Sequence, residues 1–184
     1  MYTSRMPHIH NEPGQHDLTA SAFIIRTDQA EPKILLFRHK KRAVFMQPGG
    51  HVELNETPWQ CVTHELLEEV GYDISQLQIL QPDYYPHALT DGTLHPLPAV
   101  LSTHNITPDG SHKHTDTAFA FTTTEEPRFG SDGEESNGHE WFTATELRNL
   151  PDSDTIANIC EIALYVLESV YSNWQPRETA DFIA

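Results

Sequence analysis

Residues 50–72 (GHVELNETPWQCVTHELLEEVGY) constrain the fold of this chain more than any other segment. Thr57 is a natural helix N-cap, Pro58 suits the first helical position, and Gly71 is a natural C-terminal stop. Between them the apolar residues recur at helical spacing: Trp59, Val62, Leu66 and Val70. The segment therefore predicts a helix that packs one face against a core and begins after a Pro-Gly-Gly turn at 48–50.

Three glutamates lie close together on another face of this predicted helix. Glu65, Glu68 and Glu69 are spaced i, i+3 and i+4, so their carboxylates are neighbours. Like charges at this spacing repel, and the helix gains nothing from them unless a cation compensates. Mg²⁺ is a natural candidate because it takes oxygen ligands and bridges to substrate phosphates. The carboxylates by themselves leave a solvated acidic face open as the alternative.

The full spacing of the segment resembles the Nudix box, whose pattern is G-x5-E-x7-R-E-U-x-E-E-x-G-U with U a bulky apolar residue. Gly50, Glu56, the three glutamates and Gly71 all stand at their positions, and His64 stands where the family has arginine. On these residues the chain is identified as a member of the MutT-like Nudix hydrolases. The resemblance implies an α/β fold, an α/β/α sandwich with a mixed central sheet, in which the box forms a loop-helix-loop.

The resemblance also implies a reaction and its metal ions. Members of the family hydrolyse the pyrophosphate bond of a nucleoside diphosphate linked to another group X, with Mg²⁺ or Mn²⁺. Carried over to this sequence, the metal ligands are Glu65, Glu68 and Glu69, with the Gly49 carbonyl as a further oxygen. The substrate within this class is not legible from the sequence.

A glutamate outside the box completes the implied site. In MutT-like members a loop glutamate reaches the metals, and Glu135 is similar to it in its spacing to the following Glu-Trp pair, with Glu134 and Glu140 as rivals. The general base implied by the family is either Glu65 or a loop acid such as Glu135. The sequence does not choose between them.

His64 is the one departure from the box pattern. The family arginine pairs with the first box glutamate, here Glu56, so Gly50, Glu56, His64 and Gly71 are implied as structural residues of the box. Histidine is shorter and can be neutral at pH 7, which predicts a weaker or pH-dependent contact and surviving activity. A catalytically silent Nudix domain that binds a nucleotide as a sensor is the main alternative. An isomerase-type enzyme is disfavoured because Cys61 lies inside the box helix.

Two further segments are candidates for substrate binding. Arg38 opens a dense basic cluster, 38–42, and resembles the family arginine that contacts substrate phosphates; a solvated loop is the alternative. His112, His114 and Asp116 alternate, so they project from one face of a strand. Imidazole and carboxylate also suit metal ions. A substrate pocket, a separate metal site and a polar strand face all remain open for this run.

Charge and composition limit the partners. Eleven basic against 27 acidic side chains give a net charge of −16, which disfavours nucleic-acid backbones and anionic membranes. No apolar run approaches the ~20 residues of a membrane span, and the two cysteines form no spacing motif. We therefore expect a cytoplasmic protein that binds a small-molecule nucleotide. Dimers are frequent in the family, so a homodimer is an open expectation.

The remaining patterns predict one domain. Residues 1–17 are interpreted as an N-terminal arm, 18–175 as a single Nudix domain and 176–184 as a C-terminal tail. Runs of alternating or continuous apolar residues predict strands and an apolar period predicts a last helix. The strands are expected at 18–26, 33–38, 99–106, 114–123 and 140–142, and the helices at 144–147 and 156–170.

Overall fold

The structure is a computed structural model that describes residues 12, 14–86, 88–130 and 136–182. The described residues form one mixed sheet of nine strands: β1 His16–Arg26, β2 Lys33–His39, β3 Phe45–Met46, β4 Gly49–His51, β5 Gln78–Gln81, β6 Val100–Asn105, β7 Lys113–Thr123, β8 Ser136–Phe142 and β9 Gln175–Glu178. The helices are α1 Pro58–Val70, α2 Ala144–Arg148 and α3 Ala157–Tyr165. Helix α3 continues through a π-helical turn, Val166–Val170, and a short helical turn, Tyr171–Asn173.

The long parallel pair of β1 and β7 forms the centre of the sheet. Its register runs from His16 opposite Lys113 to Arg26 opposite Thr123. The strand order is β3-β2-β1-β7-β5-β9, and β4, β6 and β8 pair with β1, β7 and β2. Because β1 is covered on both faces over most of its length, its sequence is an almost continuous apolar run instead of a simple alternation.

Helices cover both faces of the sheet, which confirms the predicted α/β/α sandwich. On one face α1 buries Trp59, Val62, Leu66 and Val70 against Ala22, Ile24, Phe37, Phe119 and Phe121. On the other face α3 and its π-helical turn bury Ile159, Ala163, Val166 and Val170 against Phe23, Ile25, Leu36, Ala118 and Ala120. Over the described ranges, none of the helices combines the length and apolar character of a membrane span.

The predicted ends of the box helix are confirmed by its hydrogen bonds. Thr57 Oγ1 accepts from the backbone N–H of Gln60 at 3.2 Å, and Gln60 Oε1 accepts from the N–H of Thr57 at 2.9 Å. At the other end Gly71 has φ 75°, and its N–H donates to the carbonyl of Leu67 at 3.1 Å. Both ends of α1 are thus set by local chemistry.

The segment expected as a Pro-Gly-Gly turn contains strand β4 instead. Gly49 pairs with Ser21 of β1 and has φ 150°, a backbone conformation that favours glycine. A Cβ atom at this position would lie 2.7 Å from the Cα of Ser21 and closer still to the carbonyl oxygen of Ala20. Two neighbouring backbones therefore approach here more closely than any side chain allows.

The sheet also extends beyond the predicted domain limits. β1 begins at His16, inside the expected arm, because its pairing with β7 starts at Lys113. Residues Gln175–Glu178, most of which fall in the expected tail, form the edge strand β9 against β5. All four of them are exposed. Because β9 is held by backbone pairing and buries no side chain, it carries no hydrophobic pattern that sequence reasoning could detect.

Replacing Gly71 by alanine should destabilise the fold. Its left-handed conformation costs an L-residue about 1–2 kcal/mol, and the added Cβ would clash with the carbonyl oxygen of Phe129. We expect the free energy of unfolding in urea to fall by more than about 2 kcal/mol. Gly130→Ala is the matched control, since no atom lies within 4 Å of its added Cβ. Equal effects of the two variants would contradict this account of the helix end.

Candidate active site

Two of the three box glutamates turn inward from α1. Glu65 and Glu69 are 2% and 8% exposed, whereas Glu68 is exposed. Glu69 Oε2 accepts a hydrogen bond from the backbone N–H of Gly49 at 2.8 Å, so the carboxylate fixes α1 against β4. Glu65 Oε1 is buried, and no donor of the described residues reaches it with hydrogen-bonding geometry.

The environment of Glu65 fits a divalent cation. A buried carboxylate is costly unless a cation or hydrogen bonds compensate its charge. His64 Nε2 lies 3.5 Å from Glu65 Oε1. Carboxylate oxygens beside the backbone of β4 are the hard donors that Mg²⁺ and Mn²⁺ prefer. The residues at this point therefore suit such an ion.

His64 contacts the first glutamate of the box. His64 Nδ1 lies 2.7 Å from Glu56 Oε1, and Glu56 Oε2 also accepts from the N–H of Glu53 at 3.2 Å. One carboxylate thus links the loop before the helix to the helix itself. The carboxylates of Glu65 and Glu56 raise the pKa of His64 to about 9, against desolvation, which lowers it. His64 is therefore a cation at neutral pH and keeps the charge that an arginine would bring.

A cavity of about 620 Å³ opens beside Gly49 and Glu69. It has the size of a small-molecule site. Polar groups of the central strands form one wall, basic groups of the β2–β3 loop form another, and apolar groups close it. The polar wall contains Thr19, Ser21, His51, His104, His114 and Asp116. The basic wall contains His39, Lys41 and Arg42, and the apolar groups are Phe37, Met46, Ile156 and Ile159. Basic groups and buried carboxylates in one cavity suit a phosphate ligand with a metal ion.

Asp116 and His114 lie in the polar wall of this cavity. Asp116 accepts hydrogen bonds from Thr19 Oγ1 at 2.8 Å and Ser21 Oγ at 2.7 Å. Burial raises the pKa of Asp116 despite these hydrogen bonds. Burial, and then the neighbouring His51 and other histidines, lowers the pKa of His114 to about 3, so its imidazole is neutral.

The other predicted site residues lie in different places. The guanidinium of Arg38 packs over the ring of Phe45, 5.2 Å from its centroid. Because side chains alternate along β2, Arg38 points to the opposite face from Phe37, which lines the cavity. Glu140 is exposed on β8. Glu134 and Glu135 lie outside the described residues.

Sequence reasoning missed part of the cavity wall. Thr19 and Ser21 belong to the strand predicted at 18–26, and His51 follows the turn predicted at 48–50, so the sequence gives none of the three a role in the cavity. A signal was present, since polar side chains at every second position of an otherwise apolar strand indicate one polar row on one face. The partner of that row, Asp116, comes 97 positions after Thr19 in the sequence.

Cys61 does not have the environment of a reactive thiol. It is fully buried on α1, and its Sγ lies 3.4 Å from the carbonyl oxygen of His51. Desolvation, and then the charges of Glu65 and Glu56, raise the pKa of Cys61 well above its ordinary value. A thiol that stays protonated is a poor nucleophile, which argues against the isomerase alternative.

Comparisons with known proteins agree with the observed fold. The family model described as NUDIX domain matches residues 15–159. A NUDIX family hydrolase from Clostridium perfringens is 27% identical, covers 84% of this chain and 97% of its own, and has a TM-score of 0.65. The E. coli dihydroneopterin triphosphate pyrophosphohydrolase shares the fold at 16% identity, with 84% of this chain and 95% of its own covered and a TM-score of 0.58. A C. elegans Ap4A hydrolase also shares it, at 17% identity, with 80% of this chain and 90% of its own covered and a TM-score of 0.52. No curated protein matches the chain.

The chain therefore belongs to the NUDIX domain family, and it is a hydrolase of that family. The resemblance predicted from the box is confirmed. The family match covers most of the chain, including both the box and the strands that form the cavity. The assignment thus extends from the box to residues 15–159.

A double-mutant cycle on His64 and Glu56 should measure a favourable coupling in metal-free protein. Both side chains are partly exposed, so we expect about 0.5–1 kcal/mol from urea unfolding in EDTA. The pKa of His64 is raised from 6.5 to about 9 in the folded state. The coupling is therefore complete below pH 6.5 and is lost as the pH rises through about 9.

His64→Arg is the conservative variant for the same contact. A guanidinium stays charged at high pH, so this variant should keep the coupling where the wild type loses it, and turnover should be preserved or raised. The matched control is His64→Gln, which removes the charge and keeps a polar side chain. If His64 and Glu56 show no coupling at pH 6.5, or if His64→Arg loses most of its turnover, His64 does not act by pairing with Glu56.

Proposed function

We propose that this protein hydrolyses the pyrophosphate bond of a nucleoside diphosphate linked to another group X, with Mg²⁺ or Mn²⁺ held by the box carboxylates. The observation that carries the proposal is the buried pair Glu65 and Glu69, with Glu69 bound to Gly49, beside a cavity with one basic wall. Two proteins of the same fold are named for dihydroneopterin triphosphate and Ap4A. Those names support a substrate with linked phosphates.

The proposed metal ligands are Glu65, Glu68, Glu69 and the carbonyl oxygen of Gly49, with Glu135 as a further candidate. The ion would neutralise charge on the phosphate oxygens and lower the pKa of the attacking water. The exposed Glu68 lies one helical turn from Glu65, so it can face the solvent side of an ion that Glu65 holds from the buried side. The hydrogen bond from Gly49 keeps the Glu69 carboxylate in a fixed orientation.

Glu65 is the proposed general base. Its carboxylate takes a proton from water while the water oxygen bonds to phosphorus and the bond from phosphorus to the leaving phosphate oxygen breaks. Support comes from Glu65 Oε1, which is buried and receives no well-formed hydrogen bond from the described part of the chain. Such an oxygen has a lone pair available for the proton. Glu135 is the alternative base.

The basic loop is proposed to bind the substrate phosphates. The chain carries a net charge of −16, so an anionic substrate needs local positive charge. Lys41 and Arg42 provide it at the cavity wall. Arg38, stacked on Phe45, remains the candidate suggested by the sequence for the same role. Asp116 is the proposed polar contact for the part of the substrate beyond the phosphates.

A free nucleotide is the proposed partner. The cavity has the volume of a small-molecule site, and the net charge opposes binding to nucleic acid or anionic membranes. We further propose that the protein acts in the cytoplasm, where its two free cysteines would stay reduced. The homodimer stays a prediction.

Glu69→Gln should abolish metal-dependent turnover. The amide oxygen of glutamine can still accept from Gly49, so the substitution removes charge with little change in packing. We expect turnover to fall on the order of 10²-fold or more, measured as phosphate or nucleotide release from nucleoside triphosphates, ADP-ribose and dinucleoside polyphosphates with Mg²⁺ or Mn²⁺. EDTA should abolish the wild-type reaction.

The matched control is Glu161→Gln, an exposed glutamate on α3. It should retain wild-type turnover. Absence of turnover by the wild type across the panel, with nucleotide binding still detected by calorimetry, would favour the silent sensor. Equal turnover in Glu69→Gln and the control would contradict a catalytic role for the box.

Arg42→Gln should raise KM for the substrate with a smaller effect on kcat. A phosphate contact that is equally strong in the ground state and the transition state contributes to substrate binding alone. Its loss should therefore raise KM roughly 10-fold. Lys40→Gln, an exposed neighbour in the same loop, is the control. If Arg38→Gln raises KM more than Arg42→Gln does, Arg38 and not Arg42 makes the phosphate contact.

A further inference from the structure

Four side chains from distant parts of the chain converge beside the cavity, and two of them, His51 and His114, line it. Asp17 comes from β1, His51 from β4 and His114 from β7, and His112 immediately precedes β7. His51 Nε2 lies 3.2 Å from His114 Nε2 and 3.5 Å from Asp17 Oδ2. His112 Nε2 lies 3.3 Å from the same Asp17 oxygen. We call these four residues the His/Asp cluster.

The strand register accounts for this convergence. Asp17 stands directly opposite His114 in the parallel β1–β7 ladder, and His51 stands opposite Thr19 in the β4–β1 pair. Because side chains alternate along a strand, Asp17 lies on the same face of β1 as Phe23, which packs with the α3 layer. The box helix covers the other face. His51 and His114 line the same cavity as Glu69, but the His/Asp cluster shares no residue with the box carboxylates.

Three distances within the cluster match those of ligands around a single ion. Tetrahedral Zn²⁺ with Zn–N and Zn–O bonds of about 2.0–2.1 Å separates its ligand atoms by about 3.3–3.4 Å. The separations of His51 from His114, of His112 from Asp17 and of His51 from Asp17 are 3.2, 3.3 and 3.5 Å, and they bracket that value. Asp17, His112 and His114 form the set whose ligand atoms all lie within 4.8 Å of one another, and His51 adjoins this set through Asp17 and His114.

Hydrogen bonds can account for two of these contacts, with His114 donating to His51 and His112 donating to Asp17. An imidazole Nε2 carries at most one proton, so His51 Nε2, once it accepts from His114, has no proton for Asp17 Oδ2 at 3.5 Å. A metal ion bound through the lone pairs accommodates all three contacts. Two histidines lie within 3.5 Å of the buried Asp17 Oδ2, and histidines are ordinary metal ligands.

We propose that Asp17, His51, His112 and His114 bind one Zn²⁺-class ion at a site separate from the Nudix box. Three imidazoles and one carboxylate suit zinc better than magnesium, which prefers oxygen ligands and keeps several waters. Four protein ligands leave no open position, which is typical of a structural zinc site. The ion joins β1, β4 and β7 two residues from Gly49 and so stiffens the strand that meets Glu69.

The test uses the full chain, stripped of metal by a chelator and then titrated with Zn²⁺, and with Co²⁺ as a spectroscopic probe of tetrahedral coordination. We expect one equivalent of tight Zn²⁺ binding and a rise in melting temperature. His112→Ala and His114→Ala should each weaken Zn²⁺ binding more than about 100-fold, beyond the 10–100-fold cost of losing an outer-shell contact. The N-terminal sequence also contains His8 and His10. Both are replaced by alanine in every protein tested, so that they cannot bind Zn²⁺.

Two controls separate this site from the surface and from the box. His16→Ala removes an exposed histidine next to Asp17 that contacts Thr115, and it should bind Zn²⁺ like the wild type. Glu65→Gln should lose turnover and keep the zinc equivalent, so failure of the zinc proposal and failure of the proposed hydrolysis are distinguishable.

Asp17→Asn provides a nearly isosteric variant if a histidine variant does not fold. The substitution removes the negative charge of Asp17. The variant should therefore lose most of the rise in melting temperature that Zn²⁺ causes in the wild type. Binding that survives in Asp17→Asn, His112→Ala and His114→Ala, or that disappears in Glu65→Gln, would overturn the proposal. So would a metal-stripped wild type that takes up no Zn²⁺.

Discussion

The hydrogen bond from the Gly49 N–H to Glu69 Oε2, at 2.8 Å, is the contact on which the rest of the site depends. It joins the box helix to β4, and β4 in turn lies so close to β1 that its first residue must be glycine. The same contact holds an acidic side chain at the wall of the cavity. Helix, sheet and cavity therefore share one polar contact, which a one-residue shift of β4 would break.

The parts of the fold that the sequence predicts are those set by local chemistry. Thr57 and Gly71 define the box helix because each satisfies backbone groups of its own helix end. His114 and Asp116 were candidates from the sequence, but Thr19 and Ser21 escaped prediction because their place in the cavity wall depends on pairing between β1 and β7, which brings Thr19 beside Asp116 from 97 positions away. Strand β9 escaped for another reason, since an exposed edge strand needs no apolar residues.

His64 illustrates how a departure from a family pattern can preserve its physics. Its ring is shorter than an arginine side chain, yet Nδ1 reaches Glu56 at 2.7 Å. The neighbouring carboxylates keep it protonated at neutral pH, so the loop and the helix remain joined by an ion pair. In the His/Asp cluster the imidazoles are instead proposed as metal ligands. The cavity thus meets an oxygen donor at Glu69 and nitrogen donors at His51 and His114.

The most direct test of the central claim is anomalous diffraction from crystals grown with Mn²⁺ and a non-hydrolysable nucleotide. The account predicts a manganese peak within ligand distance of Glu65, Glu69 and the Gly49 carbonyl, with phosphate oxygens of the nucleotide in the same coordination sphere. A nucleotide bound in the cavity with no manganese at these carboxylates, or with manganese only at the His/Asp cluster, would contradict it.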